Sequence, residues 1–112
     1  MSTGSERRKH DRAPVYWSVT VETPHGLTKG EARNVSSSGA YVECALPCEP
    51  GEEVILRILP SDRGPLKITA EVIWSMPHPP YGMGLAFAKI EEKDLHYIRE
   101  AIKRANAGRS LR

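Results

Sequence analysis

A chain of 112 residues has room for one domain with a modest core, and 39% hydrophobic with 27% charged residues is the balance of an ordinary folded protein. Sixteen basic against fourteen acidic side chains leave a formal charge of +2, too nearly balanced for a general polyanion-binding surface. No apolar run reaches the ~18 residues of a membrane span, and the polar start MSTGSERRKHDR lacks the apolar stretch of a signal peptide, so a cytoplasmic protein with no membrane partner is expected.

The first dozen residues carry Arg7, Arg8, Lys9 and Arg12 against Glu6 and Asp11, a charged arm over residues 1–13 that would suit an anionic partner. After Pro14, VYWSVTVE alternates with Val15, Trp17, Val19 and Val21 on one face, the pattern of a half-buried strand. TPHG supplies a turn, and a weaker strand follows around Thr28 to Val35. Beyond the Ser-Ser-Ser-Gly run, Ala40, Val42 and Cys44 alternate with Tyr41 and Glu43, and PCEPGEE is rich in turn formers. EVILRILP has apolar residues on both faces, Val54, Leu56 and Ile58 against Ile55 and Leu59, which predicts a strand covered on both sides for part of its length.

The longest alternation, LKITAEVIW, places Leu66, Ile68, Ala70, Val72 and Trp74 inward. GMGLAFA sets Met83, Leu85 and Phe87 on one face and only Gly84 and Ala86 on the other, so something must pack closely over that second face. From Glu91 the period changes. EEKDLHYIREAIKRA spaces Leu95, Ile98, Ala101, Ile102 and Ala105 as one helical face, acidic at its start and basic at its end, with Gly108 as a stop and a frayed tail beyond. Six strands and one helix predict a mainly β protein: a six-stranded antiparallel β-barrel over residues 14–88 and a C-terminal α-helix over 89–107.

Two strings carry chemistry. Arg8 and Arg12 stand with three residues between them immediately before the first strand, and each offers a permanent charge and a planar fork of donors suited to phosphate oxygens and to the O6/N7 edge of guanine. In Asn34-Val35-Ser36-Ser37-Ser38-Gly39, an extended backbone points Asn34 and Ser36 to one face while Val35 turns into the core, with Ser37 and Ser38 as the turn. The carboxamide and the hydroxyl then form a compact polar reading surface, and Gly39 permits a positive φ or a close approach to the backbone. Trp17, Trp74, Phe87 and Met83 fall on inward faces and are expected in the core rather than in a stacking platform, while Tyr41 and Tyr81 are not assigned.

Cys44 and Cys48 lack the further Cys or His partners of a zinc site and read as reduced thiols. His25, His78 and His96 share no ligand spacing, and no nucleophile–base or paired-carboxylate arrangement emerges, so neither a metal, a cofactor nor catalysis is expected.

The ordered pair RKHDR (Arg8 to Arg12) and NVSSSG (Asn34 to Gly39) closely resembles the signature of the PilZ domain family, Arg-x-x-x-Arg followed by Asp/Asn-x-Ser-x-x-Gly. AEVIW and YGMGLAF are similar to that family's long strand ending in an aromatic and its Gly-x-Gly strand, so the resemblance spans residues 7–107 as a single domain. It implies a receptor for cyclic di-GMP, with Arg8, Arg12, Asn34, Ser36 and Gly39 as ligand-binding residues and Arg7 as a further contact. Asn34 stands where many members have Asp, which removes one charged acceptor for a guanine edge.

The mechanism expected from this resemblance is an arm that folds over the ligand and changes the surface shown to a protein effector, in processes such as motility or biofilm formation, by a monomer or homodimer. The alternative is a ligand-independent adaptor using the same barrel for protein contacts. A third reading, a barrel for single-stranded nucleic acid, would need exposed aromatics and a basic groove, and no DNA or RNA partner is expected.

Overall fold

The computed structural model describes residues 12–110. The chain forms β1 (Arg12–Thr23), β2 (Gly26–Ser36), β3 (Gly39–Cys44), β4 (Glu53–Leu59), β5 (Leu66–Met76) and β6 (Gly82–Ile90), followed by the helix α1 (Glu92–Ser110). The strands close into an antiparallel barrel in the order β1-β2-β3-β6-β5-β4, with β4 returning to pair with β1, which leaves no open sheet edge.

Alternation explains the interior. Ala13, Trp17, Val19 and Val21 of β1 are buried, as are Val54, Leu56 and Ile58 of β4 and Leu66, Ile68, Ala70 and Val72 of β5. They form one core with Met83 and Leu85 of β6 and with Ile98 and Ile102 of α1. The helix lies against β1 and β2, where the Tyr97 ring packs 6.0 Å from that of Trp17. Arg63, in the β4–β5 loop, pairs with the nearly buried Asp94 of the first helical turn at 3.1 Å and lies over the Tyr97 ring.

Three departures from strict alternation matter. β1 begins at Arg12 and includes Pro14, which is tolerated because β4 pairs only with Ser18 to Glu22 and asks no hydrogen bond of the strand's first residues. A bulge in β1 between Pro14 and Trp17 and another in β2 at Arg33 each insert one residue against the neighbouring strand. A third, in β5, inserts Ile73 between Val72 and Trp74. The expectation that Trp74 faces the core is therefore corrected: the extra residue reverses the alternation, Val72 is buried, and Ile73 and Trp74 both lie outside, Trp74 45% exposed.

Two smaller corrections follow. Leu59 is exposed, so the double cover of β4 extends only to the half-buried Ile55. α1 continues past Gly108 to Ser110, since one glycine in a last helical turn costs only about 1 kcal/mol.

Candidate functional site

The strand registers assemble the site. Arg12 is paired with Ser36 and Pro14 with Asn34 across β1 and β2, while Ala13 and Val35, between them, are both buried. Because paired residues of adjacent strands share a face, the last arginine of the first string and the Asn/Ser pair of the second open on the same outer wall of the barrel. From Asn34 the row continues through its β3 partner Tyr41 to Gly84 of β6 and on to Trp74 of β5. A second row pairs Gly39 with Ala86.

These rows border an open cavity of about 450 Å3, lined by Arg12, Asn34, Ser36, Ser38, Gly39, Ala40 and Tyr41 on one side and by Ile73, Trp74, Gly84, Leu85 and Ala86 on the other. Its size lies within the range of small-molecule sites. Gly84 and Ala86 give a low floor, which answers the expectation that something packs over this face of β6: it is the indole of Trp74, which a Cβ on Gly84 would strike. Trp74 stacks on Tyr41 with ring centroids 5.6 Å apart and planes inclined by 20°.

The turn between β2 and β3 is built on Ser36. Its Oγ accepts the N–H of Ser38 and that of Gly39, both at 3.1 Å, and lies 3.3 Å from the Ser38 hydroxyl and 3.4 Å from the Gly39 carbonyl oxygen. Phe87 in turn donates its N–H to the Ser38 carbonyl at 2.8 Å and ties the turn to β6. Gly39 does not have a positive φ. Glycine is needed there because a Cβ would collide with the Leu85 carbonyl, so the close approach is that of a neighbouring strand.

Among the described lining residues Arg12 carries the only formal charge. Arg33, beside Asn34 at the β2 bulge, is engaged elsewhere. It forms an ion pair with Glu43 at 2.8 Å and lies over the Tyr16 ring at 4.7 Å, and its hydrogen bond to Tyr16 is the main cause of its raised pKa. Burial is the main cause holding the Tyr41 hydroxyl above its usual range, with the Glu43 carboxylate adding to it, so this ring is neutral at physiological pH. The described residues of the site thus offer one cationic fork, an amide, a serine turn and an aromatic wall. That combination suits a planar aromatic anion, and none of the described lining residues carries a negative charge to repel one.

Of the residues expected from the sequence, Arg12, Asn34, Ser36 and Gly39 meet at this cavity, and Arg7 and Arg8 lie outside the described residues. Sequence reasoning missed Trp74, Ile73, Tyr41, Gly84 and Ala86 as lining residues. The signal for the first two was the run Val72-Ile73-Trp74, three consecutive large apolar residues where strict alternation demands a polar one.

The Bacillus subtilis inhibitor of motility MotI/DgrA superposes with a TM-score of 0.76 at 20% identity, covering 88% of this chain and 50% of that one. The PilZ domain of CeSA from a cellulose-synthesizing bacterium gives 0.60 at 19% identity, with 81% and 93% covered. YcgR from Escherichia coli, solved in complex with c-di-GMP, gives 0.70 at 10% identity, with 90% and 49% covered. The chain therefore spans about half the length of MotI and of YcgR. No curated protein sequence matches it. The family model of the PilZ domain matches residues 6–104, which takes in both signature strings, all six strands and most of the helix, and on that match this chain belongs to the PilZ domain family.

Proposed function

We propose that the chain is a receptor for cyclic di-GMP that passes the signal to a protein effector, rather than an enzyme. The observation that carries this reading is the β1–β2 register, which sets Arg12 opposite Ser36 and next to Asn34 on one cavity wall. Family membership and the solved YcgR complex with c-di-GMP support the choice of ligand.

In this reading the Arg12 guanidinium binds a phosphate or the O6/N7 edge of a guanine, and the Asn34 carboxamide meets the purine's polar edge. Ser36 and Gly39 act by shaping the turn whose backbone faces the ligand. Trp74 supplies a face on which a base stacks, a contribution of about 1–3 kcal/mol per base. Arg8, and Arg7 beside it, approach from the arm and close over the bound dinucleotide, and the altered surface is what the effector recognises. Motility is the first output to examine, because MotI is an inhibitor of motility.

Calorimetric titration with cyclic di-GMP tests the reading. Saturable binding is expected, and Arg12→Ala should weaken it at least about tenfold, since a charge-assisted hydrogen bond contributes roughly 1.5–3 kcal/mol. No heat of binding, or an Arg12→Ala protein that binds as tightly as the parent, would refute it.

A further inference from the structure

The indole of Trp74 is half exposed, yet it lies in a built seat. One face is covered by Tyr41, whose ring is 5.6 Å away and inclined by only 20°. Beneath the two rings β6 carries no side chains that would lift them. A Cβ at Gly84 would overlap the Trp74 indole, and one at Gly82 would come within 2.7 Å of the Tyr41 hydroxyl oxygen and 2.8 Å of its ring. The register places Gly84 on the strand between those of the two rings, paired with Tyr41 on one side and with Trp74 on the other, and Gly82 two residues along the same face. Trp74 itself follows the bulged residue Ile73, and its pairing with Gly84 fixes the face it lies on but not its rotamer.

We propose that Tyr41 is a positioning residue: with Gly82 and Gly84 it holds the Trp74 ring against the cavity wall in the orientation that receives a base. This rests on the ligand reading above and adds to it a residue outside both signature strings. The physical reason is pre-organisation. An exposed indole on a bulged strand samples several rotamers, and each alternative populated in the free protein weakens binding. A stacked neighbour worth about 0.5–1.5 kcal/mol confines the ring before the ligand arrives. The tyrosine ring, and not its hydroxyl, carries the effect.

Two readouts separate this proposal from the ligand reading. The first, iodide quenching of tryptophan fluorescence without nucleotide, reports Trp74 selectively because Trp17 is only 9% exposed. Tyr41→Leu is expected to raise quenching, and Tyr41→Phe to restore the parent value. The second, titration with cyclic di-GMP, is expected to show affinity about threefold to tenfold weaker for Tyr41→Leu and recovery in Tyr41→Phe. Gly84→Ala, whose methyl group would overlap the indole itself, should reproduce the Tyr41→Leu phenotype and serves if that variant does not fold. A parent protein that fails to bind cyclic di-GMP sinks the ligand reading, and the quenching series then still decides whether the seat exists. The proposal is overturned if Tyr41→Leu and Gly84→Ala quench like the parent, or if they bind cyclic di-GMP as tightly as it does.

Discussion

Ser36 shows how one hydroxyl serves fold and site together. It is nearly buried, and its Oγ accepts the backbone N–H groups of Ser38 and Gly39 in the tight turn. Removing it would strand those donors at a cost of about 1–3 kcal/mol. Ser36→Ala is therefore expected to lower the urea midpoint as well as ligand affinity, whereas Arg12→Ala, on an exposed side chain, should lower affinity alone. Comparing the two denaturation curves checks this. Gly39 is the companion case. A methyl group there meets the Leu85 carbonyl, a backbone atom that cannot move aside without disturbing the β3–β6 ladder. Gly39→Ala should destabilise the barrel by about 1–3 kcal/mol, and a melting temperature equal to the parent's would show that the strands have more room than the geometry indicates.

At the scale of elements, the strands and helix were legible because each is half buried and periodicity follows burial: β1, β4 and β5 present their inner rows as alternating apolar residues, and α1 presents Ile98 and Ile102 at helical spacing. What alternation could not show was the bulges. One inserted residue, Ile73, marked in the letters only by the apolar run Val72-Ile73-Trp74, moves Trp74 from the expected core to the wall of the cavity. The same blindness hid Tyr41, whose importance comes from a partner 33 positions away that only the β3–β6–β5 order brings near. Arg12, Asn34, Ser36 and Gly39 were legible for a different reason: residue types with fixed chemistry at short spacing mark a site before any register is known. The helix has its own weak point. Asp94, at its first turn, is buried with Arg63 as its cationic partner at 3.1 Å, and the Arg63 guanidinium also covers Tyr97. Arg63→Ala leaves a buried carboxylate without its charge partner and should cost about 1.5–3 kcal/mol, with hydrogen exchange quickening first in α1; unchanged protection there would show that the helix is held by its apolar face alone.

At the scale of the whole molecule, barrel and helix share a single core, so perturbations at separate places should report through one cooperative transition. Alkaline titration offers a test with a fixed sign. Burial pushes the Cys48 thiol from 9.0 up to about 11, with the Glu52 carboxylate adding to the effect. Burial also raises Tyr97 from 10.0 to about 12, helped by its hydrogen bond to Asp62. A group whose pKa is higher in the folded protein than in the unfolded chain binds its proton more tightly when folded. The stability it contributes is complete below the unfolded value and is lost as pH rises through the folded one. Stability should therefore hold to about pH 9 and then fall, from Cys48 between pH 9 and 11 and from Tyr97 between pH 10 and 12. Cys48 cannot relax away from its surroundings at no cost, because its N–H donates to the Met83 sulfur and its carbonyl accepts from the Ser75 hydroxyl. Urea midpoints measured across this range should flatten at the lower end in Cys48→Ala and at the upper end in Tyr97→Phe. A parent midpoint that stays level to pH 12 would mean that the unfolded chain holds these two protons as tightly as the barrel does.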